Sequence, residues 1–111
     1  WFAWGRFYEL YGYDPGFSGD GSSCVKELVA AHPDKFERSS SPKAGAVFSA
    51  IGHNHVGIVI AVKDNTITVQ EGNLDGITNT FQDAKKDWQT KSYTLDQLRS
   101  IYGGVVFANP K

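Results

Sequence analysis

Residues 55–71 read HVGIVIAVKDNTITVQE, and no other stretch of the chain restricts its fold as tightly. HVGIVIAV is a near-continuous apolar run, the pattern of a strand buried on both faces. NTITVQEG alternates instead, with Ile67 and Val69 on one face and Thr66, Thr68 and Gln70 on the other. The linking KDN has the length of a hairpin connection, so the two runs are expected to pair as a hairpin. AGAVFSA, residues 44–50, reads as a short strand ahead of this hairpin, and GGVVFANP, residues 103–110, as a last strand. Between them the polar tract QDAKKDWQTK, residues 82–91, is expected to be a solvated face. Thr94 and Gln97 then stand at the spacing of a capping box for one short helix.

The first third of the chain is helical rather than extended. Trp1, Trp4, Tyr8 and Tyr11 recur at intervals of three and four, a stripe expected to pack on the sheet, while Arg6 and Glu9 lie off it and Gly12 is a natural stop. This helix opens on a bulky Trp with no capping residue before it. YDPGFSGDGSS, residues 13–23, is turn chemistry throughout. Ser22 or Ser23 can cap a second helix, whose apolar stripe is Val25, Leu28 and Val29 and which Pro33 ends. DKFERSSSPKAG, residues 34–45, reads as a polar connection into the strands. Helices first and hairpin-connected strands after them make an α+β fold, with N-terminal helices packed on a small antiparallel β-sheet in one domain over residues 1–111.

Composition excludes several classes of function. With 111 residues, 41% hydrophobic and 14% aromatic, the chain can build one modest core and is not disordered. A net charge of −1, with acids and bases interspersed, lacks the basic stripe of a nucleic-acid binder, so no nucleic-acid partner is expected. The longest apolar run, VGIVIAV, is too short to span a bilayer, and no membrane insertion is expected. Cys24 is the only cysteine, which rules out an intrachain disulfide and a multi-cysteine zinc site.

Three polar features stand where a β domain normally places apolar residues or plain turns. His55 opens the apolar strand, where the strand holds it rigidly and its ring stays accessible; an isolated His there also serves simply to start a strand. Glu71 and Asn73 close the paired strand two residues apart, and so project to the same side. If the hairpin pairs closely, either can reach His55 and fix the tautomer of its ring, the third-member role in Cys–His catalytic sets; EGNLDG also reads as a polar turn. Cys24 lies in the first turn of the second helix, where the helix dipole favours thiolate, but it shares a face with Leu28 and Ala31 and also fits as a small core residue.

Taken in order, WFAWGRFYE, SPKAGAVF, HVGIVIAV and QEGN resemble the CHAP domain, the cysteine, histidine-dependent amidohydrolase/peptidase of the papain-like cysteine peptidase clan. The resemblance covers nearly the whole chain and implies hydrolysis of an amide bond in bacterial peptidoglycan, as an N-acetylmuramoyl-L-alanine amidase or an endopeptidase. It implies that His55 is the catalytic His, with His53 as fallback, and that Glu71 and Asn73 orient the ring. The family nucleophile falls two positions before Trp1, so the chain is expected to lack the extreme N-terminus that carries it; Cys24 is the fallback. The alternative is an inactive cell-wall-binding or phage structural module. No cofactor is expected: some relatives bind calcium, but Asp14 and Asp20 lack the alternating spacing of a strong calcium loop. The resemblance further implies a monomeric module of a larger multidomain protein, secreted to a bacterial cell wall or encoded by a phage as a lysin.

Overall fold

A computed structural model describes residues 2–16, 21–50, 55–71 and 89–111. Helix α1 spans Phe2–Tyr11, and a 3-10 turn at Gly21–Ser23 leads into α2, Cys24–Ala31. Strands β1 (Phe36–Ser39), β2 (Val47–Ala50), β3 (His55–Lys63), β4 (Thr66–Glu71) and β5 (Gln89–Tyr93) follow. Helix α3, Leu95–Tyr102, and strand β6, Val105–Pro110, complete the order. The six strands form one antiparallel sheet in the order β1-β6-β2-β3-β4-β5. The α+β expectation holds.

The alternation of each strand divides the core between two faces of this sheet. On one face Val47, Ile58 and Ala108 pack with Ala3 and Phe7 of α1, Cys24, Val25 and Leu28 of α2, and Phe36. On the other, Phe48, Val59, Ile67, Val69 and Phe107 pack with Leu98 of α3. Ile67 and Val69 share a face as the alternation requires. In β3 only Gly57–Val59 are fully buried, and Ala61–Lys63 are exposed because the hairpin end runs past the layers that cover the sheet's middle. A register shift between Val59 and Ala61 accompanies this change, and Asp64 at the turn adopts a left-handed φ of 55°.

Two helices differ from expectation, α1 in its buried face and α2 in its start. The stripe that buries α1 is set by Ala3 and Phe7, with Trp4 and Tyr11 half-buried; Tyr8, expected in the core, is 50% exposed and stacks on Trp4 with ring centroids 5.7 Å apart. Ser23 occupies the N-cap position of α2 but makes no side-chain cap bond. Instead the Val25 N–H donates to Ser49 Oγ of β2 at 3.1 Å, so the sheet supplies the acceptor that the helix start requires. The capping box of α3 is complete: Gln97 N–H donates to Thr94 Oγ1 at 3.1 Å, and Thr94 N–H to Gln97 Oε1 at 2.9 Å.

Strands β1 and β5 form where polar connections were expected. Both lie at the edges of the sheet, with one neighbour each, and their side chains are mostly exposed.

Candidate active site

Gly57 and Glu71 stand directly opposite each other in the β3–β4 ladder, which puts His55 and Glu71 diagonally across the same face. Long side chains bridge that diagonal. His55 Nε2 and Glu71 Oε1 are 3.1 Å apart, with the ring N–H donating to the carboxylate. The Glu71 side chain is 2% exposed and that of His55 24%, so a buried anchor holds a ring that substrate can reach. Of the residues predicted for the site, these two are therefore brought together. Asn73, the fallback His53 and Asp20 lie outside the described residues.

The face around the pair is aromatic. Phe48 of β2 lies beside His55 with ring centroids 6.0 Å apart. A side chain at position 57 would collide with it: a Cβ there would come within 2.5 Å of the Phe48 ring, so Gly57 is what lets that ring cross β3 next to His55. Tyr102, the last residue of α3, stacks on the imidazole at 4.8 Å with an interplanar angle of 18°. Its hydroxyl donates to Glu71 Oε1 at 2.5 Å. Tyr93 of β5 donates to the other oxygen, Oε2, at 3.4 Å. Gly103 ends α3 in the left-handed region, at φ 69°, and its N–H donates to Arg99 O, which stops the helix with Tyr102 against the pair.

Neither tyrosine was singled out from sequence. A signal existed for Tyr102: it continues the Leu95–Leu98 stripe of α3, and a tyrosine on an apolar stripe needs a partner for its hydroxyl. What the pattern could not supply was the identity of that partner, 31 residues away in the chain.

Electrostatics follow from these contacts. Burial disfavours the ionised form of Glu71, but the hydrogen bonds from His55 and Tyr102, with positive charge at His55 and Lys91, outweigh it and hold the carboxyl below its ordinary value. Burial, and then the bond to that carboxylate, push the Tyr102 phenol far above its ordinary range. Burial and the charge of Glu71 raise Tyr93 as well. Glu71 is thus an anion with neutral hydroxyl donors on both oxygens.

Cys24 is elsewhere. It is 3% exposed in the apolar cluster under α1 and α2, on the face of the sheet opposite His55. Asp14 is committed to a turn, its Oδ1 accepting the Gly16 N–H at 2.7 Å. Among the described residues no three His, Cys, Asp or Glu side chains gather to hold a metal ion.

The CHAP domain family matches residues 1–73. The chain belongs to this family. The matched segment of this CHAP domain runs from α1 through β4 and contains both His55 and Glu71. No curated protein matches the chain. Among solved structures it is similar to the crystal structure of Ly7917, at 19% identity and a TM-score of 0.58, over 82% of this chain and 37% of that one. The crystal structure of Ly7917 with the hydrolyzing product of MDP gives 19% identity and a TM-score of 0.55, over 84% and 38%. The likeness is one of fold, and the chain spans a little over a third of the length of Ly7917. Among the described residues no helix is long and apolar enough to cross a membrane.

Proposed function

We propose that this CHAP domain is a thiol hydrolase that cleaves an amide bond of bacterial peptidoglycan, as an N-acetylmuramoyl-L-alanine amidase or an endopeptidase. One observation carries the reading: in a chain of this family, a partly exposed His55 is held through Nε2 by the buried carboxylate of Glu71. Ly7917, which shares the fold, was crystallised with the hydrolyzing product of MDP, and this favours a wall-derived substrate here.

With Nε2 engaged by Glu71, Nδ1 is the nitrogen that exchanges protons with a thiol. The nucleophile is a Cys two positions before Trp1, on the N-terminal side of α1, where the helix dipole favours thiolate and backbone N–H groups are available to an oxyanion. His55 takes the thiol proton, and the thiolate sulfur bonds to the amide carbonyl carbon. The tetrahedral adduct collapses, the C–N bond breaks, and His55 returns the proton to the leaving amine. Water, deprotonated by His55, then cleaves the thioester, releasing the carboxylic acid and restoring the thiol. Because His55 is the first residue of β3, its ring lies at the strand's end, where a group from the helical layer can approach it.

The test is hydrolysis of purified cell walls by the protein extended through that upstream Cys. His55→Ala should lower the rate by about 100-fold or more. Retained hydrolysis in His55→Ala, or an inactive extended protein on several peptidoglycan types, would overturn the reading.

A further inference from the structure

Both tyrosines at Glu71 lie beyond residue 73, outside the segment matched to the family. Among the described residues, three donors converge on this one carboxylate. His55 Nε2 and the Tyr102 hydroxyl share Oε1, and the Tyr93 hydroxyl takes Oε2. Tyr102 is distinguished from Tyr93 because its ring also lies flat on the imidazole that donates to the same oxygen. A single side chain therefore touches both members of the pair. The stack opposes rotation of the imidazole about its χ2 bond, and the hydroxyl opposes rotation of the carboxylate.

We propose that Tyr102 is a positioning residue of the His55–Glu71 pair, clamping the imidazole with its ring and the carboxylate with its hydroxyl. This rests on the thiol-hydrolase reading for its catalytic meaning, though the clamp itself is a property of the folded chain. Its role is to keep the Nε2–H tautomer facing Glu71 and Nδ1 turned outward. Among the described residues, the titratable groups facing His55 and Glu71 are Lys91 and Tyr93 from β5 and Tyr102 from α3.

The deciding measurement is long-range proton–nitrogen NMR of the His55 ring in the 15N-labelled chain, which needs no nucleophile. The wild-type ring should show a single neutral tautomer, protonated on Nε2. In Tyr102→Leu, which removes ring and hydroxyl, both tautomers should appear. A ring that stays wholly Nε2-protonated in Tyr102→Leu overturns the proposal, whatever wall hydrolysis does. Should Tyr102→Leu not fold, Tyr102→Phe decides. It keeps the stack and deletes the hydroxyl's hold on Oε1, so the second tautomer should appear, to a smaller extent than when ring and hydroxyl are both removed. A ring that stays wholly Nε2-protonated in Tyr102→Phe then overturns the proposal. In the extended, wall-cleaving protein, Tyr102→Leu should lower kcat by about 100-fold with KM little changed, the signature of a misplaced catalytic group. A wild type without hydrolysis defeats the proposed function and leaves the tautomer measurement to judge Tyr102 alone.

Discussion

The two faces of the sheet each bury a reactive group, and they treat it in opposite ways. Under α1 and α2, Cys24 packs in a cluster with Ala3, Phe7, Val25 and Leu28. Under α3, Glu71 is as deeply buried, but three side-chain donors meet it and Lys91 adds positive charge. An apolar environment accepts a thiol as a small core side chain. A donor-lined one keeps a carboxylate charged where burial alone would neutralise it. Depth of burial is therefore no guide to chemistry. The first face is built to hold the fold together, and the second to hold a charge next to an accessible imidazole.

The largest effect that can break this contrast is on the apolar face. Leu28→Ala should destabilise the protein by about 2–5 kcal/mol, because Leu28 is fully buried between α2 and the sheet. Urea denaturation measures this, and a loss below about 1 kcal/mol would mean that this face tolerates a void its packing does not suggest.

Next comes the acid limb of stability. The Glu71 carboxyl lies below its ordinary value of 4.5 in the folded state. Its contribution is therefore complete above the ordinary value and is lost as pH falls through the depressed one, at about 1.4 kcal/mol per unit of depression. Glu71→Gln should be less stable than the wild type near neutral pH, and the gap should close on acidification. Urea midpoints of both proteins across that range test it; a gap independent of pH would show that the donors do not hold Glu71 ionised.

The smallest effect sharpens the comparison most. Cys24→Ala should cost only about 1 kcal/mol and leave wall hydrolysis by the extended protein intact. If the variant folds and hydrolysis disappears, the thiol chemistry belongs to the helical face and the contrast collapses.

The parts of the fold visible in the sequence were those with a buried, periodic signature. The β3–β4 hairpin, β2 and β6 carry one, and the capping box of α3 was legible instead from the spacing of Thr94 and Gln97. Strands β1 and β5 do not, and the reason is their place at the sheet's two edges. In FERS only Phe36 is buried, and in QTKSY no residue is fully buried. An edge strand is kept polar to discourage further pairing, and that erases the pattern by which strands are recognised. For α1 the spacing marked a helix, but the largest rings did not mark its buried face. The sheet is met by Ala3 and Phe7, and small residues contribute little to an aromatic stripe. At the site, hairpin geometry put Glu71 or Asn73 within reach of His55, and the register, with Gly57 opposite Glu71, sets the diagonal of His55 and Glu71. Tyr93 and Tyr102 were not legible in this way, because no local rule connects a helix terminus to a strand so far away in the chain.

The position of β6 has a consequence for how this protein comes into being. The last strand in sequence lies between β1 and β2, pairing Ala108 with Arg38 on one side and Val47 on the other. Until residue 110 has left the ribosome, β1 has no partner and β2 presents an open edge beside the completed hairpin. The nascent chain must carry those exposed edges, and the apolar surface of Val47 and Phe48, until synthesis of this segment ends. Assembly of the sheet is thus timed by its final strand rather than by the hairpin that bears His55 and Glu71.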